Sequence, residues 1–306
     1  MPESTIEVAR TLQYSSRLYS LSQQMKSKFA SRVRRETIIG AKSKSFDRLG
    51  EADSQENTTR HGETPLNEQE HSRRWVTMTD IDSGTLLDKE DEWKILIEPG
   101  NKYAAHQAAK LARDTDDKII AGALGSALAG EEADTSIAFK DDSISINGDG
   151  TVTSLGTLAA VKTVDIISLA KMLLMMQIFN QEDVDPDIMK YWAVTPKTIS
   201  DMLDLTEVGS ADYNTVKTLT TGKVESFMGF KWFWSNRITK DAAAGTAYRS
   251  IAWAEDGIIL GEAKGITTKM SERNDLKHSK QVYSFMSNGA VRFEGAKVHE
   301  CLNKVA

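Results

Sequence analysis

The chain has 306 residues, 40% hydrophobic and 27% charged, with a net charge of −6. That composition excludes a disordered chain and leaves room for one large domain or two ordinary ones. One cysteine, Cys301, rules out an internal disulfide and counts against a zinc site. Charge is unevenly spread: residues 1–50 hold ten Lys/Arg against four acids, and the remainder holds 28 against 40. A +6 arm on a −12 body favours contact with neighbouring acidic surface or with nucleic acid. MPESTIEVAR has no cationic start followed by an apolar run, so no signal peptide is expected. Val161–Phe179, the most apolar window, is interrupted by Lys162, Asp165 and Lys171, which predicts a buried helix and not a membrane span.

Residues 1–43 are polar with scattered apolar residues, among them Leu12, Tyr14, Met25 and Phe29, and read as an arm that acquires structure on a neighbour. Residues 44–92 read as a long two-stranded excursion. One limb starts at Ser45-Phe46-Asp47-Arg48-Leu49-Gly50. The other is Arg74–Ile81, with Trp75, Thr77, Thr79 and Ile81 on one face. About twenty polar residues lie between the limbs. So long a connection seldom persists in a compact domain without a purpose.

From Gly100 to Ala129 apolar residues recur at steps of three and four, including Ala104, Ala108, Leu111, Ala112, Ile119, Ile120 and Ala123. Pro99 and Gly100 stop what precedes, Asn101 can cap, and Gly130 closes the far end. The helix would be about 45 Å long. Its alanine- and glycine-rich face (Gly122, Gly125) requires something flat lying close against it.

Ile137, Phe139, Ile144, Ile146 and Val152 alternate with polar residues around Asn147-Gly148-Asp149-Gly150, which predicts short strands and turns. Tyr191–Val194 reads as a buried strand, and Thr195-Pro196 opens a helix through Leu205. Val224–Ile238 reads as a strand with Phe230, Trp232 and Trp234 on one face. Arg249–Leu260 and Glu262–Met270 give two strands. Gln281–Phe293 gives two more around a turn at Ser287-Asn288-Gly289, and Lys297–Leu302 closes the chain.

No motif for catalysis, a cofactor or a metal appears. The five histidines lie in different segments without ligand spacing. GALGSALAG lacks the lysine of a phosphate loop. Asn147–Gly150 lacks the acid ladder of a calcium loop. There is no GxSxG elbow. Period-two aromatics such as Phe230, Trp232 and Trp234 fill cores more often than they stack bases.

Several ordered stretches carry a resemblance. They are Ser45–Gly50, Arg60-His61-Gly62-Glu63-Thr64-Pro65, His71-Ser72-Arg73-Arg74-Trp75-Val76, Leu86-Leu87-Asp88-Lys89-Glu90-Asp91, and Leu96-Ile97-Glu98-Pro99 with the helix from Tyr103. Together with Asn288–Phe293 they resemble the major capsid proteins of tailed double-stranded DNA bacteriophages. The resemblance implies an α+β fold of the Hong Kong ninety-seven-like type. It implies an arm over 1–43, an extended loop over 44–92, a peripheral domain with the spine helix over 93–160 and 267–296, and an axial domain over 161–266 and 297–306. It implies a non-enzymatic subunit forming pentamers and hexamers in a virion shell around double-stranded DNA, assembled in the host cytoplasm with no membrane contact.

Further partners it implies are a scaffolding protein, a portal protein and a decoration or cement protein. Arg60, His61, Glu63, Pro65, Glu68, Arg73 and Arg74 would make intersubunit contacts. Arg10, Arg17, Lys26, Lys28, Arg32, Arg34 and Arg35 would meet scaffold, neighbour or DNA. Some relatives carry a large scaffold-like extension before the loop; only 43 residues precede it here, so a separate scaffold is expected. No lysine lies between Thr58 and Ser72, so lysine–asparagine cross-links through the loop are not expected. An encapsulin-like compartment around cargo enzymes, or an α+β enzyme, are the alternatives.

Overall fold

The structure, a computed structural model, describes residues 21–54, 56, 58, 60, 66, 68–88, 100–146, 152–153, 166–204, 226–241 and 247–304. The chain divides into two compact units. One comprises Ile81–Arg113 and Ile266–Met286 with the residues up to Lys26; the other comprises Ser27–Asp80, Asp114–Gly265 and Ser287–Ala306.

In the first unit the segments come from strands β4 (Thr79–Leu87), β13 (Ile258–Arg273) and β14 (Ser279–Arg292), and from helix α1 (Gly100–Leu124). β13 turns into β14 at Lys277 and His278, both at positive φ. Gln107 of α1 joins helix to strands: its Nε2 donates to Thr85 Oγ1 (2.9 Å) and to the Val282 carbonyl (3.1 Å). Its Oε1 accepts from Ser284 Oγ (2.8 Å), so one buried amide holds three partners.

The second unit is built on a seven-stranded sheet of order β10-β11-β9-β12-β15-β7-β8. Its strands are β7 (Ser145–Ile146), β8 (Val152–Thr153), β9 (Lys190–Val194), β10 (Ser226–Phe227), β11 (Phe230–Trp234), β12 (Ala247–Ala254) and β15 (Val298–Lys304). Side chains alternate between two cores. Trp192, Val194, Phe230, Trp232, Ala252 and Ala254 join Met172, Met175, Phe179 and Met202. Tyr191, Ala193, Ile251 and Trp253 join Phe29, Val33, Ile119 and Ile120 on the other side. A sheet buried on both faces reads as a near-continuous apolar run, which is why Tyr191–Val194 is legible as a strand.

The first core is covered by α3 (Leu169–Gln181) and α4 (Pro196–Leu203). Thr195 Oγ1 accepts from Thr198 N and Pro196 sits at the first turn, so α4 starts where the sequence predicts. α3 begins later than the expected Val161, at the residue after its cap, Ser168. A second sheet of the unit has order β2-β3-β5-β6, from β2 (Ser43–Leu49), β3 (His71–Thr77), β5 (Ala127–Ala129) and β6 (Thr135–Ile137). β1 (Arg34–Thr37) pairs in parallel with β13, from Arg34↔Ile259 to Thr37↔Glu262.

Several expectations are corrected. The long helix ends at Leu124 and not Ala129, because Ala127–Ala129 leaves as β5. Its last carbonyls are taken from afar: Arg292 Nη1 donates to the Ala123 and Gly125 carbonyls, both at 2.9 Å. The helix does lie close to a flat partner, since a Cβ at Gly122 would stand 2.5 Å from the Ala290 carbonyl oxygen.

The limb expected over Arg74–Ile81 breaks at Met78, whose N–H donates to the Lys42 carbonyl; β3 and β4 then join different sheets. Phe139–Asp142 is a single helical turn, α2, and not a strand. The strand expected over Val224–Ile238 is a hairpin turning at Met228 and Gly229, both at positive φ. β13 runs unbroken through Gly261, where two strands were expected. Asn288-Gly289 makes no turn. A Cβ at Gly289 would collide with the Thr77 carbonyl oxygen, and Asn288 Nδ2 donates to Thr115 Oγ1 (3.0 Å). The glycine is there for close approach within a strand. Asn147–Gly150 lies outside the described residues.

Candidate functional site

Two regions carry the residues singled out by sequence. The first is the hairpin of β2 and β3, paired antiparallel from Ser43↔Thr77 to Leu49↔His71. Gly50 N–H extends the ladder to the Glu70 carbonyl (2.8 Å). Arg60 and Glu68, beyond the ladder, are exposed; His61, Glu63 and Pro65 lie outside the described residues. Arg73 reaches Asp47 across the strands at 2.5 Å, an exposed pair that lowers the Asp47 pKa and raises that of Arg73 through their hydrogen bond.

Arg74, expected to contact a neighbour, points the other way. It is 1% exposed and its Nη2 donates to Asp142 Oδ2 at 2.8 Å inside its own subunit. Arg292, fully buried, donates to the same oxygen from Nε at 3.0 Å. Its Nη1 donates to the Ala123 and Gly125 carbonyls and its Nη2 to those of Ile137 and Ala138 (3.4 and 3.3 Å), so all five donors of the guanidinium are used. Arg74 is less well served: its Nε and Nη1 are buried with no acceptor among the described residues. Burial lowers the pKa of both guanidiniums while Asp142 pulls them up; Arg48 and Arg292 lower that of Arg74 further. An unsatisfied buried donor costs about 1–3 kcal/mol.

The second region is the basic arm. Arg10 and Arg17 lie outside the described residues, and Lys26 is exposed. From Ser27 onward the segment packs within its own chain, which corrects the reading of 1–43 as one neighbour-dependent arm. Buried Asp116 of α1 accepts from Ser27 Oγ (2.5 Å), Lys28 N and Phe29 N (both 3.1 Å). Phe29 stacks on Trp253 at 5.6 Å between centroids and meets Phe233 edge-on at 5.0 Å. Trp253 Nε1 donates to the Arg32 carbonyl (2.9 Å).

Lys28 Nζ lies 3.3 Å from the centre of the Trp234 ring and donates to that residue's carbonyl; burial lowers its pKa. Arg32 covers Phe233 at 4.2 Å, its pKa likewise lowered by burial. Arg34 holds Glu36 (2.7 Å) and Arg35 Nε donates to the Ala30 carbonyl (2.6 Å). Four of the seven arm cations are therefore engaged internally. Nothing in the local pattern points to Asp116 and Trp253 as their anchors; the one signal is Phe29, an aromatic among bases.

Among the described residues no group of three or more His, Cys, Asp or Glu is placed to hold a metal ion, and no helix is long and apolar enough to cross a membrane. The Cys301 thiol is fully buried and pushed up to about 12, the setting of an inert thiol.

No curated protein sequence matches the chain. Solved structures do. The capsid of cyanophage P-SCSP1u matches with TM-score 0.73 at 15% identity, covering 100% of this chain and 96% of the other. A chain of Mycobacterium phage Che8 matches with TM-score 0.68 at 14% identity, covering 96% and 97%. The capsid of Ralstonia phage GP4 matches with TM-score 0.67 at 12% identity, covering 97% and 96%. These likenesses give the α+β capsid fold expected from the sequence. The profile of the phage capsid proteins matches residues 6–305, almost the whole length, and the chain belongs to that family.

Proposed function

We propose that the chain is the major shell subunit of a tailed phage, assembling as pentamers and hexamers into an icosahedral capsid around double-stranded DNA. The family match over residues 6–305 carries this reading. It also weighs against the encapsulin-like alternative. The role is structural, and virion is the location. Assembly in the host cytoplasm, with a scaffolding protein, a portal protein and a decoration protein as partners, belongs to the same proposal.

Within it, 44–92 is the extended loop that contacts a neighbour through Arg60, His61, Glu63, Pro65, Glu68 and Arg73. The peripheral domain takes 93–160 and 267–296, and the axial domain 161–266 and 297–306. The arm shortens to the residues before Ser27, with Arg10, Arg17 and Lys26 as its outward cations. Arg34 and Arg35 of β1 are exposed and stay within reach of DNA or scaffold, although Arg34 also holds Glu36 and Arg35 the Ala30 carbonyl.

Light scattering after size-exclusion chromatography tests the reading: capsomers or megadalton particles are expected. A monomer across micromolar concentrations and assembly conditions would refute it. Denatured particles should run as single chains near 33.8 kDa on a reducing gel.

A further inference from the structure

We propose that Asn288-Gly289 is a deamidation site that the fold keeps closed, so that the state of Asn288 records how long a chain has been without β14 in place. Asparagine followed by glycine loses its side-chain amide more readily than other pairs, because a residue without Cβ lets its backbone nitrogen reach the amide carbon. Gly289 N gives up its proton and bonds to Asn288 Cγ, and ammonia leaves with the amide nitrogen. Water then opens the cyclic imide at either carbonyl, leaving aspartate or isoaspartate at 288. No oxidant or reductant enters.

The chain has two such pairs, Asn147-Gly148 and Asn288-Gly289. The second does not make the turn its residues favour, and its surroundings oppose each step of ring closure. It lies within β14, an inner strand of its sheet, where the backbone of Asn288 is extended. Closure needs that backbone turned so that the side chain folds back over the next peptide. Asn288 is 3% exposed, and its Nδ2, the nitrogen that must leave, donates to Thr115 Oγ1 at 3.0 Å. Gly289 is packed so closely that a Cβ would collide with the Thr77 carbonyl oxygen. The backbone has no room to turn, and water has no room to enter.

The products do not fit the site. Aspartate puts a carboxylate where the amide donates to Thr115. Isoaspartate runs the main chain through its Cβ and adds a methylene just before Gly289. What β14 does beyond that point depends on position. The Ala290 carbonyl lies against Gly122, and Arg292 holds Asp142 and the Ala123 and Gly125 carbonyls. A chain that reacts while unfolded is therefore marked and shut out of the native state, whether or not it builds a shell.

The test uses the full-length chain, held for equal times at mildly alkaline pH either folded in buffer or unfolded in guanidinium chloride. Peptide mapping by mass spectrometry follows both asparagines. In denaturant Asn147 and Asn288 should convert at similar rates, which makes Asn147 an internal clock. In the folded chain Asn288 should convert more slowly than in denaturant by on the order of a hundredfold or more, since it reacts only when a core strand opens. Conversion within a few-fold of the unfolded rate would overturn the closed site. Denatured samples of increasing age are then diluted into buffer, and refolded and aggregated fractions are mapped separately. The refolded fraction should hold intact Asn288, with the converted chains in the aggregate. Converted chains shared equally between the fractions would disprove the exclusion. Asn288→Asp, expressed directly, checks the same point without refolding: it should be insoluble or melt below wild type, and a variant melting as high as wild type would sink the mark.

Discussion

The seven-stranded sheet and the β2–β3 hairpin are both antiparallel in part and belong to the same compact unit, yet they are held by opposite means. In the sheet, β12 and β15 bury nearly every residue and the aromatic rings interlock, with Trp192 and Trp232 stacked at 4.4 Å. In the hairpin no residue of β2 is fully buried, and the cross-strand pair of Arg73 and Asp47 faces water. Burial is worth roughly 25 cal/mol per Å² of apolar surface, whereas exposed pairs contribute little. The sheet is thus fixed by burial, while the exposed face of the hairpin is held by pairs that water can replace.

Four measurements would sharpen or break that contrast. The largest effect belongs to Trp253→Ala, which removes a fully buried ring and the stacking partner of Phe29. A loss of about 3–5 kcal/mol is expected in urea denaturation of subunits. A loss no greater than for hairpin substitutions would erase the distinction.

Next comes His299, in the sheet beside Phe179. Ile144 N–H donates to its Nδ1 (3.3 Å), which leaves the proton on Nε2, facing the Ala296 carbonyl (2.8 Å). Burial lowers its pKa to about 4 from 6.5. The folded state holds the ring neutral, so above pH 6.5 it contributes no pH dependence. As pH falls from 6.5 the unfolded state takes the proton first, and stability drops until about 4. The size is on the order of 3 kcal/mol. The difference in stability between wild type and His299→Gln should change across that window; a constant difference would show that the ring is not held neutral.

Gly289→Ala is third. Its Cβ would press on the Thr77 carbonyl, where the end of the hairpin meets β14, at a cost of roughly 1–3 kcal/mol. An unchanged melting temperature would mean that the two backbones are not in contact. Smallest is Asp47→Ala, which should leave subunit melting unchanged, since both partners of the pair are solvated. A clear destabilisation would make the hairpin more rigid than its exposure implies.

What the sequence could say depended on how local the deciding contacts are. Tyr191–Val194 and the Thr195-Pro196 start are set by residues within a turn of one another, and both are where the pattern puts them. The end of α1 is decided by Arg292, and the straight run through Asn288-Gly289 by Thr77 and Thr115, all distant in the chain. Turn chemistry at Asn-Gly is a preference, and a backbone pressed against it overrides that preference. The internal packing of the arm is not legible because Phe29 finds Trp253 and Phe233 only in the fold. Arg74 looked like a surface cation for the same reason: its partner, Asp142, sits on another element.

One feature of the sheet bears on how the protein is made. β15 follows every other strand of that sheet in the chain, yet it lies inside the order, between β12 and β7. During synthesis β12 waits with an open edge until Val298–Lys304 has left the ribosome, since its seven pairings from Ala247↔Lys304 to Trp253↔Val298 need that strand. Such non-local closure is slow, and an open, apolar edge invites association before folding is complete. Nascent chains stalled before Val298 should be digested by protease or captured by chaperones, and full release should bring protection in one step. Protection already present in chains stalled before Val298 would mean that the sheet closes without its inner strand.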